Sequence, residues 1–150
     1  MRYILVIFFF FNLSLIAQDI VVKSDNYFAD LSNKERAIIV DKGTERAWSG
    51  AYNNHYENGL YVCKACNNPL FTSEAKFKSN CGWPSFDDEI KDAIVRITDY
   101  SLNMTRVEIC CANCKGHLGH VFEGEKLTDK DLRHCVNSIS IKFSPIITDY

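Results

Sequence analysis

A chain of 150 residues, 47% hydrophobic and 13% aromatic, is long enough to bury one ordinary core. Its 17 basic and 19 acidic residues are scattered, with no basic stripe or aromatic-basic repeat, which sets nucleic acid aside as a partner. Seven cysteines, an odd number, imply at least one free thiol.

Residues 1–17 carry one positive charge at Arg2, no acid, and an apolar run rich in Ile, Val, Leu and Phe, the pattern of a secretory signal. The run is shorter than the ~20 residues of a spanning helix, and Asn12 and Ser14 interrupt it. Such a chain is expected to be exported, to a bacterial periplasm or the medium, with a retained anchor as the alternative to cleavage after Ala17. Residues 18–30 read as a flexible lead-in to a single domain over 31–146.

Ser32 and Glu35 have the spacing of a capping box, so a short helix is expected to about Val40, stopped by Lys42-Gly43. From Trp48 onward turn signals break the chain into short apolar segments: Ser49-Gly50, Asn53-Asn54, Asn58-Gly59, Asn68-Pro69 and Glu123-Gly124. The domain is therefore mainly β, with strands expected over 60–62, 93–98, 104–109 and 136–143. Residues 87–92 and 125–131 read as solvated loops, and His55 as a surface residue.

Cys63 and Cys66 have the C-x2-C spacing that lets two thiolates reach one ion from a tight turn, and Cys111 and Cys114 repeat it. Four thiolates close a tetrahedron, so such a zinc would brace the fold and activate no water. Structural disulfides are the competing reading. Upstream of the second pair, Val107, Ile109 and Cys111 share one side of a strand, while Arg106, Glu108 and Cys110 share the other, polar side. His117 and His120 follow closely enough for the metal turn to hold them on a stiff base.

Three further cysteines remain. If 133–143 is extended, Cys135 and Asn137 point to the side of Ile139, Ile141 and Phe143. Arg133 and His134 beside the thiol would favour its thiolate, the nucleophilic form. A buried core cysteine is the equal alternative. Gly82 and Pro84 turn the backbone sharply around Trp83, either displaying the indole as an apolar wall for a group such as a methyl or burying it in the core. Cys81 beside it is a candidate second redox thiol, and Cys110 on its polar strand face is the least promising.

Taken together, Gly43-Thr44-Glu45-Arg46, the two C-x2-C pairs, Cys81-Gly82-Trp83-Pro84-Ser85-Phe86, His117-Leu118-Gly119-His120-Val121-Phe122 and Arg133-His134-Cys135-Val136-Asn137-Ser138 resemble the B-type methionine sulfoxide reductases, the SelR family. The likeness runs from about residue 32 to 143. It implies a mainly β fold of two antiparallel sheets with a short N-terminal helix and a structural four-cysteine zinc site, of the Mss4-like kind. It also implies an oxidoreductase that returns the R epimer of methionine sulfoxide, in proteins or free, to methionine, one enzyme serving each epimer.

On this resemblance Cys135 is the nucleophile that ends as a sulfenic acid, and Cys81 resolves it as a Cys81–Cys135 disulfide that a thioredoxin-like dithiol reduces. Trp83 and Phe122 would bind the substrate, with Trp83 holding its methyl. His117, His120 and Asn137 would polarise or protonate the sulfoxide oxygen. Cys63, Cys66, Cys111 and Cys114 would hold one structural Zn2+ per chain. The implied partners are oxidised proteins or peptides and a thioredoxin-like reductant, with the enzyme a monomer. Three positions depart from the family pattern: His134 stands where tyrosine or phenylalanine is common, Cys110 replaces a usual arginine, and 127–131 lacks a Pro-Thr-Gly turn. The rival function is a non-catalytic, zinc-stabilised binding module in which Cys135 is a core residue.

Overall fold

The computed structural model describes residues 27–146. The expected signal at 1–17, and the lead-in up to residue 26, lie outside the described residues. Tyr27 and Phe28, at the end of that lead-in, pack against the core, and Arg36 donates to the Phe28 carbonyl at 2.8 Å.

Helix α1 (Asn33–Ile39) starts as its capping box requires, Ser32 N–H donating to the Glu35 carboxylate at 2.8 Å and Glu35 N–H to the Ser32 hydroxyl. The Ser32 hydrogen bonds hold the Glu35 carboxyl down at about 2. Ile38 and Ile39 are its buried face. The helix ends differently from expectation, because Lys42 takes the left-handed conformation (φ 60°) and Gly43 does not. Gly43 is needed for space: a Cβ there would stand 2.6 Å from the Ala37 carbonyl oxygen.

Among the described residues nine strands follow: β1 (Gly59–Cys63), β2 (Pro69–Thr72), β3 (Lys76–Phe77), β4 (Ser85–Phe86), β5 (Ile94–Asp99), β6 (Arg106–Cys111), β7 (His117–Glu123), β8 (Leu132–Val136) and β9 (Ile141–Pro145). They form two antiparallel sheets, of order β2-β1-β9 and β3-β4-β8-β7-β6-β5. The inner faces meet in a core of Tyr61, Leu70, Phe71, Phe86, Ile109, Leu118, Val136 and Ile141, with Phe71 stacked on Phe86 at 4.3 Å. Among the described residues the mainly β class with one short α-helix stands as the residues implied.

Three local expectations are corrected. The strand expected over 136–143 is two strands in different sheets, because a turn of 3-10 helix at Ser138–Ser140 separates β8 from β9. The Glu45 carboxylate causes the break by accepting the backbone N–H groups of Ser138 (2.6 Å) and Ile139 (3.2 Å). The second correction concerns β6, whose polar side is buried too, with Glu108 and Cys110 almost inaccessible. The segment after α1 covers that face, and Lys42 reaches Glu108 at 2.8 Å. The third is His55, which is half-buried, its Nδ1 2.8 Å from the Tyr61 hydroxyl and its ring against Phe143.

Candidate active site and metal centre

The two C-x2-C turns are built alike. Asn67 N–H donates to Cys63 O at 3.0 Å and Lys115 N–H to Cys111 O at 2.9 Å, with Asn67 (φ 62°) and Lys115 (φ 64°) both left-handed. Each turn folds its two sulfurs to one point, and the four lie within 4.8 Å of one another. Cys63–Cys114 and Cys66–Cys111 are both 3.6 Å apart. Four sulfurs at about 2.3 Å from a tetrahedral zinc stand about 3.8 Å apart, so the donor set fits a metal ion of that kind. Because Cys63 belongs to β1 and Cys111 to β6, an ion here would join one sheet to the other.

The face of β6 that looked merely polar is the face that carries the chemistry. Cross-strand partners set side chains in a row on one face, and here the row is Ile97, Glu108, His120, Cys135 and Ser85. Cys135 opens on a cavity of about 120 Å³ lined with Thr44, Trp83, Arg106, His120, Phe122 and Asn137. Cys81 comes from the loop before β4 and places its sulfur 3.8 Å from that of Cys135, outside the cavity lining. All seven cysteines are free thiols.

The hydrogen bond from Cys135, aided by the hydroxyls of Ser79 and Ser85, pulls Cys81 down to about 4. The same contact, burial and the charge on Cys81 push Cys135 up, and Arg133 opposes this but is outweighed. The 3.8 Å contact thus favours the charged form of Cys81 and the neutral form of Cys135. Of the two basic neighbours only Arg133 favours the Cys135 thiolate, and the Cys81 sulfur opposes it. His134 points to the opposite face, with Nδ1 3.0 Å from Phe86 O and Nε2 2.5 Å from Glu89. Arg133 is held by both oxygens of Glu125 (2.6 and 2.8 Å) and lies over the Phe122 ring at 4.5 Å.

A donor set faces the cavity beside the apolar Trp83 and Phe122. Asn137 accepts the Glu45 N–H at 3.0 Å and gives one amide N–H to Leu118 O at 3.2 Å, leaving its second N–H unused. His120 Nε2 bonds Asp99 at 2.9 Å, and Arg106 bonds the same carboxylate at 2.7 Å. His117 is not in the cavity; it stands behind His120 with ring centres 5.6 Å apart. Its Nδ1 is 2.8 Å from Glu108, its Nε2 is buried without a partner, and burial pushes its pKa down.

The family model for the SelR domain matches residues 31–145. The chain belongs to the SelR family. Among its relatives, "Peptide methionine sulfoxide reductase B2, chloroplastic" of Arabidopsis thaliana is 48% identical over 81% of this chain and 59% of that protein's length. "Peptide methionine sulfoxide reductase B3" of the same plant is 46% identical over 89% of this chain and 76% of its own. "Peptide methionine sulfoxide reductase 2" of Saccharomyces cerevisiae is 52% identical over 69% of this chain and 66% of its own. The matched part of this SelR chain thus spans about three fifths of the plastid relative and about three quarters of the B3 relative.

Within this SelR site the structure adds residues that the sequence reading left without a task. Glu45 holds three parts at once: its N–H the Asn137 amide, its carbonyl the Trp83 indole N–H at 3.0 Å, its carboxylate the 138–139 backbone. Arg106 and Asp99 orient His120, and Glu108 orients His117. Nothing local marks them, since Glu45 and Asn137 are 92 positions apart.

Proposed function

We propose that this chain reduces the R epimer of methionine sulfoxide in oxidised proteins or peptides, with Cys135 as nucleophile. The observation that carries the assignment is that Cys135, and not Cys81, opens on the cavity where Trp83 and Phe122 offer an apolar wall and His120, Asn137 and Arg106 offer polar groups. The names of the relatives support the same substrate.

The sulfoxide methyl lies against Trp83 and its oxygen faces His120, Asn137 and Arg106. Cys81, 3.8 Å away, takes the Cys135 thiol proton as the substrate binds, leaving the nucleophilic thiolate on Cys135. The Cys135 thiolate attacks the sulfoxide sulfur as its oxygen is protonated; the oxygen then passes to the Cys135 sulfur while the bond between the two sulfurs and the original S–O bond break, so methionine leaves with both electrons and Cys135 remains as the sulfenic acid. Cys81 then attacks the Cys135 sulfur and expels water, oxidising the pair to a disulfide. Closing to an S–S bond of about 2.05 Å requires the 79–84 loop to move inward by under 2 Å. A thioredoxin-like dithiol supplies the two electrons that reset the pair, outside the cytoplasm if the N-terminal segment directs export. Cys110 is a poor substitute for Cys81: β7 separates it from β8, and burial pushes its thiol up to about 12.

Cys63, Cys66, Cys111 and Cys114 would hold one structural zinc per chain. Bound there, the ion supplies no reaction step, only rigidity between the sheets behind His117 and His120. The chain is proposed to act as a monomer.

The test is a stereospecific assay on the two sulfoxide epimers with dithiothreitol as reductant. The wild type should consume only the R epimer, and Cys135→Ser should keep its fold and metal yet show no turnover. Cys81→Ser should complete one turnover and then fail with a thioredoxin-like donor. Undiminished turnover by Cys135→Ser overturns the assignment.

A further inference from the structure

Past Arg106 and His120 the reactive cavity opens into a second hollow of about 540 Å³, against about 120 Å³ for the cavity itself, and the two share Thr44, Arg106 and His120. One wall is the chain at 41–44; the other is the turn between β5 and β6. Its floor carries many charges, but they are matched in place. Lys42 and His117 satisfy Glu108, at 2.8 Å each, and Arg106 and His120 satisfy Asp99. Asp41, without an ion pair among the described residues, leaves the wall acidic.

The rim is different. Ile97, Tyr100 and Leu102 line the groove and are 45%, 74% and 75% exposed. Leu102 also holds a left-handed backbone conformation (φ 55°), unfavourable for a bulky residue, with its side chain outside the core. Exposed apolar side chains gathered at the mouth of a reactive cavity recover their burial only when something lies on them. The small cavity accepts one side chain. The peptide backbone that bears it must continue outward, and the groove is continuous with the cavity at His120.

Resting on the reductase reading, we propose that this groove receives the polypeptide flanking the oxidised methionine and that Ile97, Tyr100 and Leu102 select an apolar residue beside it. A charged flanking side chain would have to shed water over a floor whose charges already have partners, and an acidic one would meet Asp41. An apolar one covers the rim at no such cost. Free methionine sulfoxide uses the small cavity alone, so it is indifferent to the rim.

The experiment compares wild type with the double variant Tyr100→Ser/Leu102→Ser on three substrates, each carrying the R-sulfoxide, with dithiothreitol as reductant. They are the free amino acid, a pentapeptide with leucine on both sides of the sulfoxide, and one with aspartate on both sides. Wild type should favour the leucine peptide over the aspartate peptide on the order of tenfold in kcat/KM, expressed in KM. The double variant should lose most of that preference while its rate on the free amino acid stays within about twofold. Equal rates of wild type on the two peptides, or a variant that loses as much on the free amino acid, overturns the groove assignment and leaves the reductase reading standing. A wild type inactive on all three overturns both.

Discussion

Glu45→Gln tests whether one carboxylate organises the site. Its oxygens accept Ser138 N–H at 2.6 Å and Ile139 N–H at 3.2 Å, while its main chain anchors Asn137 and Trp83 at 3.0 Å each. Glutamine keeps one acceptor oxygen but turns an N–H toward a backbone N–H. Hydrogen bonds to a charged group contribute about 1.5–3 kcal/mol, and because Glu45 is half-buried the lower end applies, giving a loss of about 2 kcal/mol. For a domain of this size that is a fall in Tm of roughly 8 °C. As the turn at 138–140 relaxes, the Asn137 amide and Trp83 lose their common anchor. A displacement well under 1 Å then lowers kcat on R-sulfoxide by about tenfold. Thermal unfolding followed by circular dichroism, with steady-state assays on dithiothreitol, reads both. A variant whose Tm and kcat both match wild type would refute the claim that this carboxylate holds the site together.

Gly119→Ala should be far more severe than its size suggests, because a Cβ there would lie 2.0 Å from the Cys135 carbonyl oxygen at φ 154°. We expect a loss above about 3 kcal/mol or no soluble protein, read by denaturant unfolding; wild-type stability would contradict the β7–β8 register. Burial works against the charge on Glu89, yet the hydrogen bonds from His134 and Arg96 hold its carboxyl down at about 2. Its folded pKa lies below the unfolded value near 4.5, so its contribution is complete above about pH 4.5 and is lost as pH falls toward 2. Glu89→Gln should flatten that stretch of the stability–pH curve, and an unchanged curve would exclude the pair as its source. Metal analysis should find about one zinc per chain. Its removal by a chelator, or Cys114→Ala, should cost several kcal/mol and loosen the contact between sheets, whereas unaltered unfolding of metal-free protein would rule out a structural ion.

Whatever depends on near neighbours could be read from the residues alone. The capping box of Ser32 and Glu35, the two cysteine knuckles, the mainly β class and the cluster of motifs around Trp83, His120 and Cys135 all rest on spacings of a few positions, where chain geometry leaves little choice. Periodicity likewise told which side chains of β6 share a face. It did not tell what lies opposite that face, so Glu108 and Cys110 read only as its polar side, whereas both are buried and Lys42 reaches Glu108. The break in 136–143, the anchoring of Asn137 by Glu45 and the meeting of Cys81 with Cys135 were decided by tertiary contact. Each joins residues tens of positions apart, and only the folded arrangement of strands and connecting segments brings such groups within reach of one another and removes the water that would otherwise satisfy them.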